Sequence, residues 1–310
     1  MKRPVYRRVV ERNRWLRSDG KPNFRDNIHE VIPKLQPLLD KEVPTLSEVS
    51  TVLNAAEAMA SSGKRVLPVV DPGNNLRGVV AGMDIIEYLG GGQKYRIVTQ
   101  RFNDRIYDAL YAHVRDIMTT NIVSVDIDTN PMNVIEAMVL NGLGAVPVID
   151  RDGRFAGMVT EEMLTRFVHA LVRGVVASDV MSKSVISIAR EASIGAALKL
   201  MVSTGVRRLP VVDGSVLRGV VTWKEIIQFI GTHEVFNHLS EYTVTEFNDL
   251  PLTLVTTTDF ERVAPGEDLA DVVIKMRDRG KDYALVMRDD EVVGIITERD
   301  ILYAALTRWE

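Results

Sequence analysis

Four short stretches of the sequence place hydroxyl or carboxylate side chains where helices are predicted to begin. Thr297 to Asp300 carries both groups three residues apart, and Thr222 to Glu225 does so with glutamate as the acid. Ala81 to Asp84 lacks the hydroxyl, and Thr160 to Met163 lacks the carboxylate. A hydroxyl, a carboxylate and the amides of a helix N-terminus can bind the hydroxyl and phosphate oxygens of a ligand. The same spacing is also the capping box, in which the two side chains satisfy the amides of their own helix.

Other residue patterns with chemical meaning are absent from the sequence. The glycine-rich stretch Gly90 to Lys94 (GGGQK) lacks the spacing and the hydroxyl of a phosphate-binding loop, and it is interpreted as a flexible helix exit. The histidines are scattered and form no HExxH pair, no GxSxG elbow occurs, and there are no cysteines. We therefore expect no catalytic residues, no catalytic cofactor and no metal site. An enzyme of unknown type that uses the ligand is the weakest interpretation.

The helix starts belong to a pattern that recurs four times. A helix containing Met is followed after nine residues by a Pro-Val-type strand, after nine or ten more by a Gly, and after six more by the acidic or substituted position. The landmarks are Met59, Pro68, Gly78 and Asp84; Met138, Pro147, Gly157 and Met163; Met201, Pro210, Gly219 and Glu225; and Met276, Leu285, Gly294 and Asp300. Four sets of landmarks with nearly the same spacing indicate an internal repeat.

Each repeat predicts one strand-helix-strand-strand-helix unit. The fold class is therefore α/β, of the α+β type, with four βαββα units. Because so small a sheet closes a core poorly alone, we expect two pseudo-symmetric pairs, first with second and third with fourth. The predicted divisions are a basic N-terminal extension (1–35), unit 1 (36–92), a linker helix with unit 2 (93–172), unit 3 (173–231), and a linker with unit 4 (232–310).

Charge is distributed unevenly along the chain of 310 residues. Residues 1–35 hold ten Lys/Arg against four Asp/Glu, whereas the whole chain has a formal net charge of −4. The arginines of this extension either form a solvated helix face or pair with the acidic body, or they form an arm that binds nucleic acid or an acidic partner. They are Arg3, Arg7, Arg8, Arg12, Arg14 and Arg17. No apolar run is long enough to span a membrane, so no membrane association and a cytoplasmic location are expected.

Several segments of the repeat resemble CBS domains. They include "VRDIMTTNIVSVDIDTNPMNVIEAM", "GVRRLPVVDGSVLRGVVTWKEII" and "GIITERDIL", and the resemblance covers roughly residues 36 to 306. Four copies with no catalytic domain are similar to the gamma subunits of AMP-activated protein kinase and to stand-alone archaeal proteins of that layout. This resemblance implies ligand clefts within each pair, binding of an adenine nucleotide as a regulatory ligand, and a non-catalytic role in signalling energy state to an unidentified protein.

The resemblance also implies which cleft is best equipped. This is the cleft between units 3 and 4, where the helix start of unit 4 would hold ribose, and unit 3 would supply phosphate-contacting arginines and a first strand. The residues are Thr297, Arg299, Asp300, Val206, Arg207, Arg208, Ser182, Ser184, Val185, Ile186 and Ser187. The alternative for Arg207 and Arg208 is pairing with surface carboxylates.

A second, weaker cleft would use the helix start of unit 1. Its residues are Asp84, Leu143, Gly144, Ala145, Asn121 and Ile122, which can accept an adenine but offer no charge for phosphate. The other two clefts are expected to be empty or structurally filled, because Met163 has replaced the acid in one and Asp282 would repel phosphate in the other. The sequence leaves AMP, ADP, ATP and S-adenosylmethionine open as ligands, and a monomer or a homodimer as the assembly. A scaffold whose basic arm binds nucleic acid or an acidic partner is the alternative function.

Overall fold

The computed structural model describes residues 34–306. The predicted basic arm, with all of its arginines, therefore lies outside the described residues, and its role stays a prediction. Among residues 34–306, no helix has the length and apolar character needed to cross a bilayer.

Unit 1 folds around a two-stranded antiparallel sheet covered by two helices. Its elements are α1 (Val52–Ser62), β1 (Val66–Val70), β2 (Leu76–Ala81) and α2 (Gly82–Leu89). Helix α1 begins at Thr51, whose hydroxyl accepts from the Asn54 amide, and ends at Gly63 with φ of 69°. The expected first strand is reduced to a single bridge between Leu46 and Val69. Helices α3 (Tyr95–Arg101) and α4 (Ile106–Leu110) then lead to unit 2.

Units 2, 3 and 4 each contain the complete βαββα pattern. Unit 2 has β3 (Val125–Asp126), α5 (Pro131–Asn141), β4 (Ala145–Ile149), β5 (Phe155–Thr160) and α6 (Glu161–Val168). Unit 3 has α7 (Ala177–Val180), β6 (Ile188–Ala189), α8 (Ile194–Thr204), β7 (Arg208–Asp213), β8 (Val216–Thr222) and α9 (Trp223–Gly231). Unit 4 has α10 (Val244–Asp249), β9 (Glu261–Val263), α11 (Leu269–Asp278), β10 (Tyr283–Arg288), β11 (Glu291–Thr297) and α12 (Glu298–Leu306). In each, the first strand pairs parallel and the last pairs antiparallel with the middle strand.

Backbone bridges join the units as the sequence predicts, first with second and third with fourth. The segment preceding each unit's first strand pairs with the last strand of its partner, at Asp40 with Met158, Val79 with Thr119, Ser182 with Ile295 and Val220 with Thr257. The repeated glycine permits this approach, since a Cβ on Gly219 would lie 2.7 Å from the Thr257 carbonyl oxygen. The predicted fold class, with four units in two pairs, is confirmed by this arrangement.

The two pairs stack through their helices. One core contains residues of units 1 and 3, where α1 packs on α9, and a second contains residues of units 2 and 4, where α6 packs on α12. Gly231 at the end of α9 permits a close approach to α1, because a Cβ there would lie 2.5 Å from the Ala56 carbonyl oxygen. Each unit therefore contacts one neighbour through strands and another through helices, and all four meet at a common centre.

Candidate functional site

The helix start of unit 4 adopts the capping geometry. The Thr297 amide and hydroxyl both donate to Asp300 Oδ2, at 2.9 Å and 2.7 Å. Both residues are half-buried at the first turn of α12. Asp300 Oδ2 therefore acts as a helix cap, as the capping-box interpretation predicts. Binding of ribose by Asp300 stays a prediction.

The segment from Ser182 to Ser187 was expected to form the first strand of unit 3, but it precedes that strand, β6. It lies directly beside the helix start of unit 4. The Ser182 amide donates to the Ile295 carbonyl at 2.9 Å, and the Ile295 amide donates back at 3.1 Å. Following it along the chain, Ser184 and Ser187 are exposed, and Val185 and Ile186 are half-buried. This single backbone bridge brings the segment to within two residues of Thr297 along β11.

The two adjacent arginines of unit 3 have different surroundings. Arg208 forms an ion pair with Asp282 of unit 4 and lies over the Tyr283 ring, with 5.1 Å from Cζ to the ring centroid. Asp282 is the residue expected to repel phosphate from the neighbouring cleft, and the guanidinium of Arg208 neutralises it. Burial opposes this ionisation, but the attraction outweighs it and lowers the pKa of Asp282. Arg208 therefore follows the alternative interpretation, pairing with a carboxylate.

Arg207 is half-buried next to Val206 and lies beside charged residues from the other three units. We call this set the four-unit junction: Arg65 of unit 1, Glu161 of unit 2, Arg207 of unit 3, and Glu298 and Arg299 of unit 4. Glu161 Oε2 lies 3.2 Å from Arg65 Nη2, and its Oε1 accepts from Arg299 Nε at 2.5 Å. Arg65 Nη1 also lies 3.5 Å from Glu298 Oε2. The Arg207 carbonyl accepts from the Trp223 amide at 3.0 Å. Among the described residues, the Arg207 guanidinium makes no hydrogen bond or ion pair.

Burial and neighbouring charges shift the pKa values of the junction residues. Burial and the positive charges of Arg65 and Arg299 lower the pKa of Arg207 to about 9. Glu161 is 3% exposed, and although burial disfavours its ionised form, Arg299 and Arg65 outweigh this effect and lower its pKa. For Glu298, burial dominates over the attraction of Arg65, and its pKa rises to about 8.

Glu161 and Glu298 were not predicted from the sequence as site residues. Each is the first residue of its helix, directly after the threonine of the repeated pattern. The sequence prediction of ligand contacts used only the first and fourth positions of that pattern, where the hydroxyl and the carboxylate stand. Two acidic residues at the intervening helix position were the available signal, but their convergence depends on how the pairs stack.

The second predicted cleft contains an internal cation. Asp84 is 6% exposed, and its Oδ1 accepts from Lys94 Nζ at 2.7 Å. Of its other residues, Gly144 and Ala145 are buried, Leu143 and Ile122 are half-buried, and Asn121 is exposed. The Gly144 carbonyl accepts from Arg65 of the four-unit junction.

A cavity of about 610 Å³ opens at the other two helix starts. All four units line it, and the residues include Lys64, Arg65, Thr160, Met163, Thr222, Glu225, Asp282 and Glu298. These are the two clefts expected to be empty or structurally filled, and whether a ligand enters them stays a prediction. Within the described part of the chain, no group of three or more His, Asp or Glu side chains is arranged to hold a metal ion.

The repeat is recognised by comparison with protein families. The profile of the CBS domain matches residues 36–91, 114–170, 177–232 and 253–307, which together span most of the chain. This chain belongs to the CBS-domain family. Its four matches correspond to the four repeats, while the exact linker boundaries given by the sequence stay predictions.

Relatives that match most of the chain support this assignment. This CBS-domain protein is 30% identical over 253 residues to an uncharacterized 33.4 kDa protein in a ribosomal RNA operon of Thermofilum pendens, covering 82% of this chain and 84% of that one. It is 27% identical over 269 residues to the uncharacterized protein MJ1225 of Methanocaldococcus jannaschii, covering 85% and 95%. The crystal structure of MJ1225, a protein described as a proposed archaeal homologue of g-AMPK, superposes with a TM-score of 0.81 at 25% identity, covering 87% of this chain and 98% of that one.

Proposed function

We propose that this CBS-domain protein is a non-catalytic regulator that binds an adenine nucleotide in the cleft between units 3 and 4. In this proposal, Asp300 holds the ribose and Arg207 holds the phosphate. Thr297, Arg299 and the segment from Ser182 to Ser187 complete the cleft. The choice of an adenine nucleotide rests on the family resemblance, and the placement of its phosphate rests on the junction.

The single observation that carries the proposal is the environment of Arg207. A guanidinium without a hydrogen-bond partner, placed beside two other guanidinium groups, is electrostatically unfavourable. Glu161 is the acceptor for Arg65 and Arg299 but makes no ion pair with Arg207. A phosphate would supply charge-assisted hydrogen bonds to Arg207 and relieve the repulsion that lowers its pKa.

The regulatory part of the proposal follows from where that phosphate would sit. The junction contains side chains from all four units, so a bound anion would change the contacts that hold the two pairs together. A ligand shifts such an equilibrium only by its different affinity for the two arrangements. We propose that this shift alters the surface offered to a partner protein and so reports the cell's energy state.

Thermal unfolding with adenylates tests this function. Wild-type protein is melted with AMP, ADP, ATP, adenosine or S-adenosylmethionine, since a ligand at 100 times its Kd stabilises a protein by about 2.7 kcal/mol. We expect a rise in Tm with at least one phosphate-bearing adenylate. Arg207→Met should remove most of the rise with that adenylate while leaving any effect of adenosine, and Asp300→Asn should reduce both.

Arg218→Met is the matched control, because Arg218 lies in the same unit but pairs with Asp213 at the surface. It should respond as the wild type does. The proposal is wrong if no adenosyl ligand shifts the Tm at saturation, or if Arg207→Met and Arg218→Met respond identically to phosphate-bearing ligands.

A further inference from the structure

Lys94 joins the two walls of the cleft at the helix start of unit 1. Its Nζ donates to Asp84 Oδ1 at 2.7 Å and to the Ile117 carbonyl of unit 2 at 2.6 Å. The Asp84 and Lys94 side chains are 8% and 22% exposed, so this ion pair is largely shielded from water. The ammonium group therefore bridges a carboxylate of one unit and the backbone of its partner.

The three glycines before Lys94 make this contact sterically feasible. Gly91 has φ of +91°, and a Cβ on Gly90 would lie 2.4 Å from Leu198 Cβ. A Cβ on Gly92 would lie 2.1 Å from Glu87 Cγ. The chain thus reverses tightly after α2 and returns Lys94 to the first turn of the same helix. The GGGQK stretch, interpreted from sequence as a flexible exit, is a defined turn that positions a cation.

Asp84 and Asp300 occupy equivalent places in their clefts. Each lies five residues after the bridge that joins its strand to the partner unit, at Val79 with Thr119 and at Ile295 with Ser182. Ile117 precedes Thr119 by two residues in the segment that forms the opposite wall. A ribose held by Asp84 would therefore meet the position that the Lys94 ammonium occupies.

We propose that Lys94 is an internal competitor for the adenosyl ligand at the Asp84 cleft, and that it keeps this cleft closed. The inference rests on the proposed function for the ligand class, but it concerns a different cleft. An ammonium held by a carboxylate and a carbonyl makes two charge-assisted hydrogen bonds, which ribose hydroxyls must replace. Asp84 Oδ2 also accepts from the Ala81 amide at 2.6 Å, so removing the ammonium takes a donor from Oδ1, and a ribose hydroxyl can replace that donor.

Calorimetric titration of Lys94→Met with adenosine tests the inference, because adenosine carries the ribose that would replace the ammonium and has no phosphate. Lys94→Met should bind one more equivalent of adenosine per chain than the wild type, with an affinity at that cleft raised about tenfold or more. The double variant Asp84→Asn with Lys94→Met should lose the additional equivalent. Lys94→Gln serves as a second variant, and the melting curve of each is recorded to establish folding.

Lys275→Met is the matched control, since Lys275 pairs with Glu267 at a more exposed site in unit 4. It should bind adenosine with wild-type stoichiometry. Repeating the titration with Arg207→Met added separates the two proposals, because the additional equivalent should persist when the phosphate site is disabled. Folded Lys94→Met and Lys94→Gln with unchanged stoichiometry and affinity would overturn the role of Lys94, and would leave the AMP and ATP results on the wild type to decide the proposed function.

Discussion

Glu161 is the residue on which the charge balance of the four-unit junction depends. Its two carboxylate oxygens pair with Arg65 of unit 1 and Arg299 of unit 4, and its negative charge also attracts Arg207 of unit 3. Three guanidinium groups around one carboxylate leave an excess of positive charge. Glu161 offsets part of this charge through its ion pairs with Arg65 and Arg299, and a phosphate dianion would bring the local charge close to neutrality.

Glu161→Gln should therefore destabilise the protein by about 3–5 kcal/mol, because removing one partner of a buried ion pair leaves the other uncompensated. Inorganic phosphate, added at constant ionic strength, should restore part of the loss by taking the place of the carboxylate. Urea unfolding with and without phosphate measures both effects.

Glu162→Gln provides the comparison one residue along the same helix. Glu162 pairs with Arg166 where both side chains are more than half exposed, so its loss should cost at most about 1 kcal/mol. Equal destabilisation of the two variants, or no effect of phosphate on Glu161→Gln, would contradict the role given to Glu161.

The strands and helices of each unit were largely predictable because the same landmarks recur with the same physical demands. Proline and glycine positions mark the central and last strands, and small apolar residues mark the helices that cover them. The contacts between units were harder to predict from the sequence. The repeat predicts which units pair, but nothing local to Arg208 predicts that Asp282 pairs with it, and nothing local to Lys94 predicts its return to Asp84.

Gly219 shows how one position of the repeat controls the pairing of units. A Cβ at this position would approach the Thr257 carbonyl oxygen to 2.7 Å and Thr256 Cγ2 to 2.6 Å. Gly219→Ala should push β8 away from unit 4 and cost about 1–3 kcal/mol, as overpacking does elsewhere. Chemical denaturation checks the value.

Gly266→Ala is the matched substitution in the same pair, because a Cβ there meets nothing within 4 Å. It should change stability by less than about 0.5 kcal/mol. If the two alanine variants unfold at the same denaturant concentration, then the repeated glycine is not required for strand pairing.

The whole molecule places its buried charges where the strand contacts and the helix contacts intersect. Strand bridges hold unit 1 to unit 2 and unit 3 to unit 4, and helix packing holds unit 1 to unit 3 and unit 2 to unit 4. Glu298 lies at this intersection, 3.5 Å from Arg65 of unit 1. A change in its charge therefore acts on contacts between the two pairs.

The raised pKa of Glu298 should make the stability of the protein depend on pH. Burial raises its pKa from 4.5 to about 8, so the folded protein keeps this proton while the unfolded chain has lost it. The free energy of unfolding should consequently fall as pH rises from about 5 to 8, by an amount on the order of a few kcal/mol, and should then level off. Glu161 and Asp282 act in the opposite sense and at lower pH, since their lowered pKa values cause stability to be lost on acidification.

Glu298→Gln should flatten the decline between pH 5 and 8, whereas Glu162→Gln should retain it, and urea unfolding across this range measures the difference. An unchanged slope in Glu298→Gln would mean that the carboxyl is ionised in the folded protein at neutral pH, and that Arg65 compensates its burial fully.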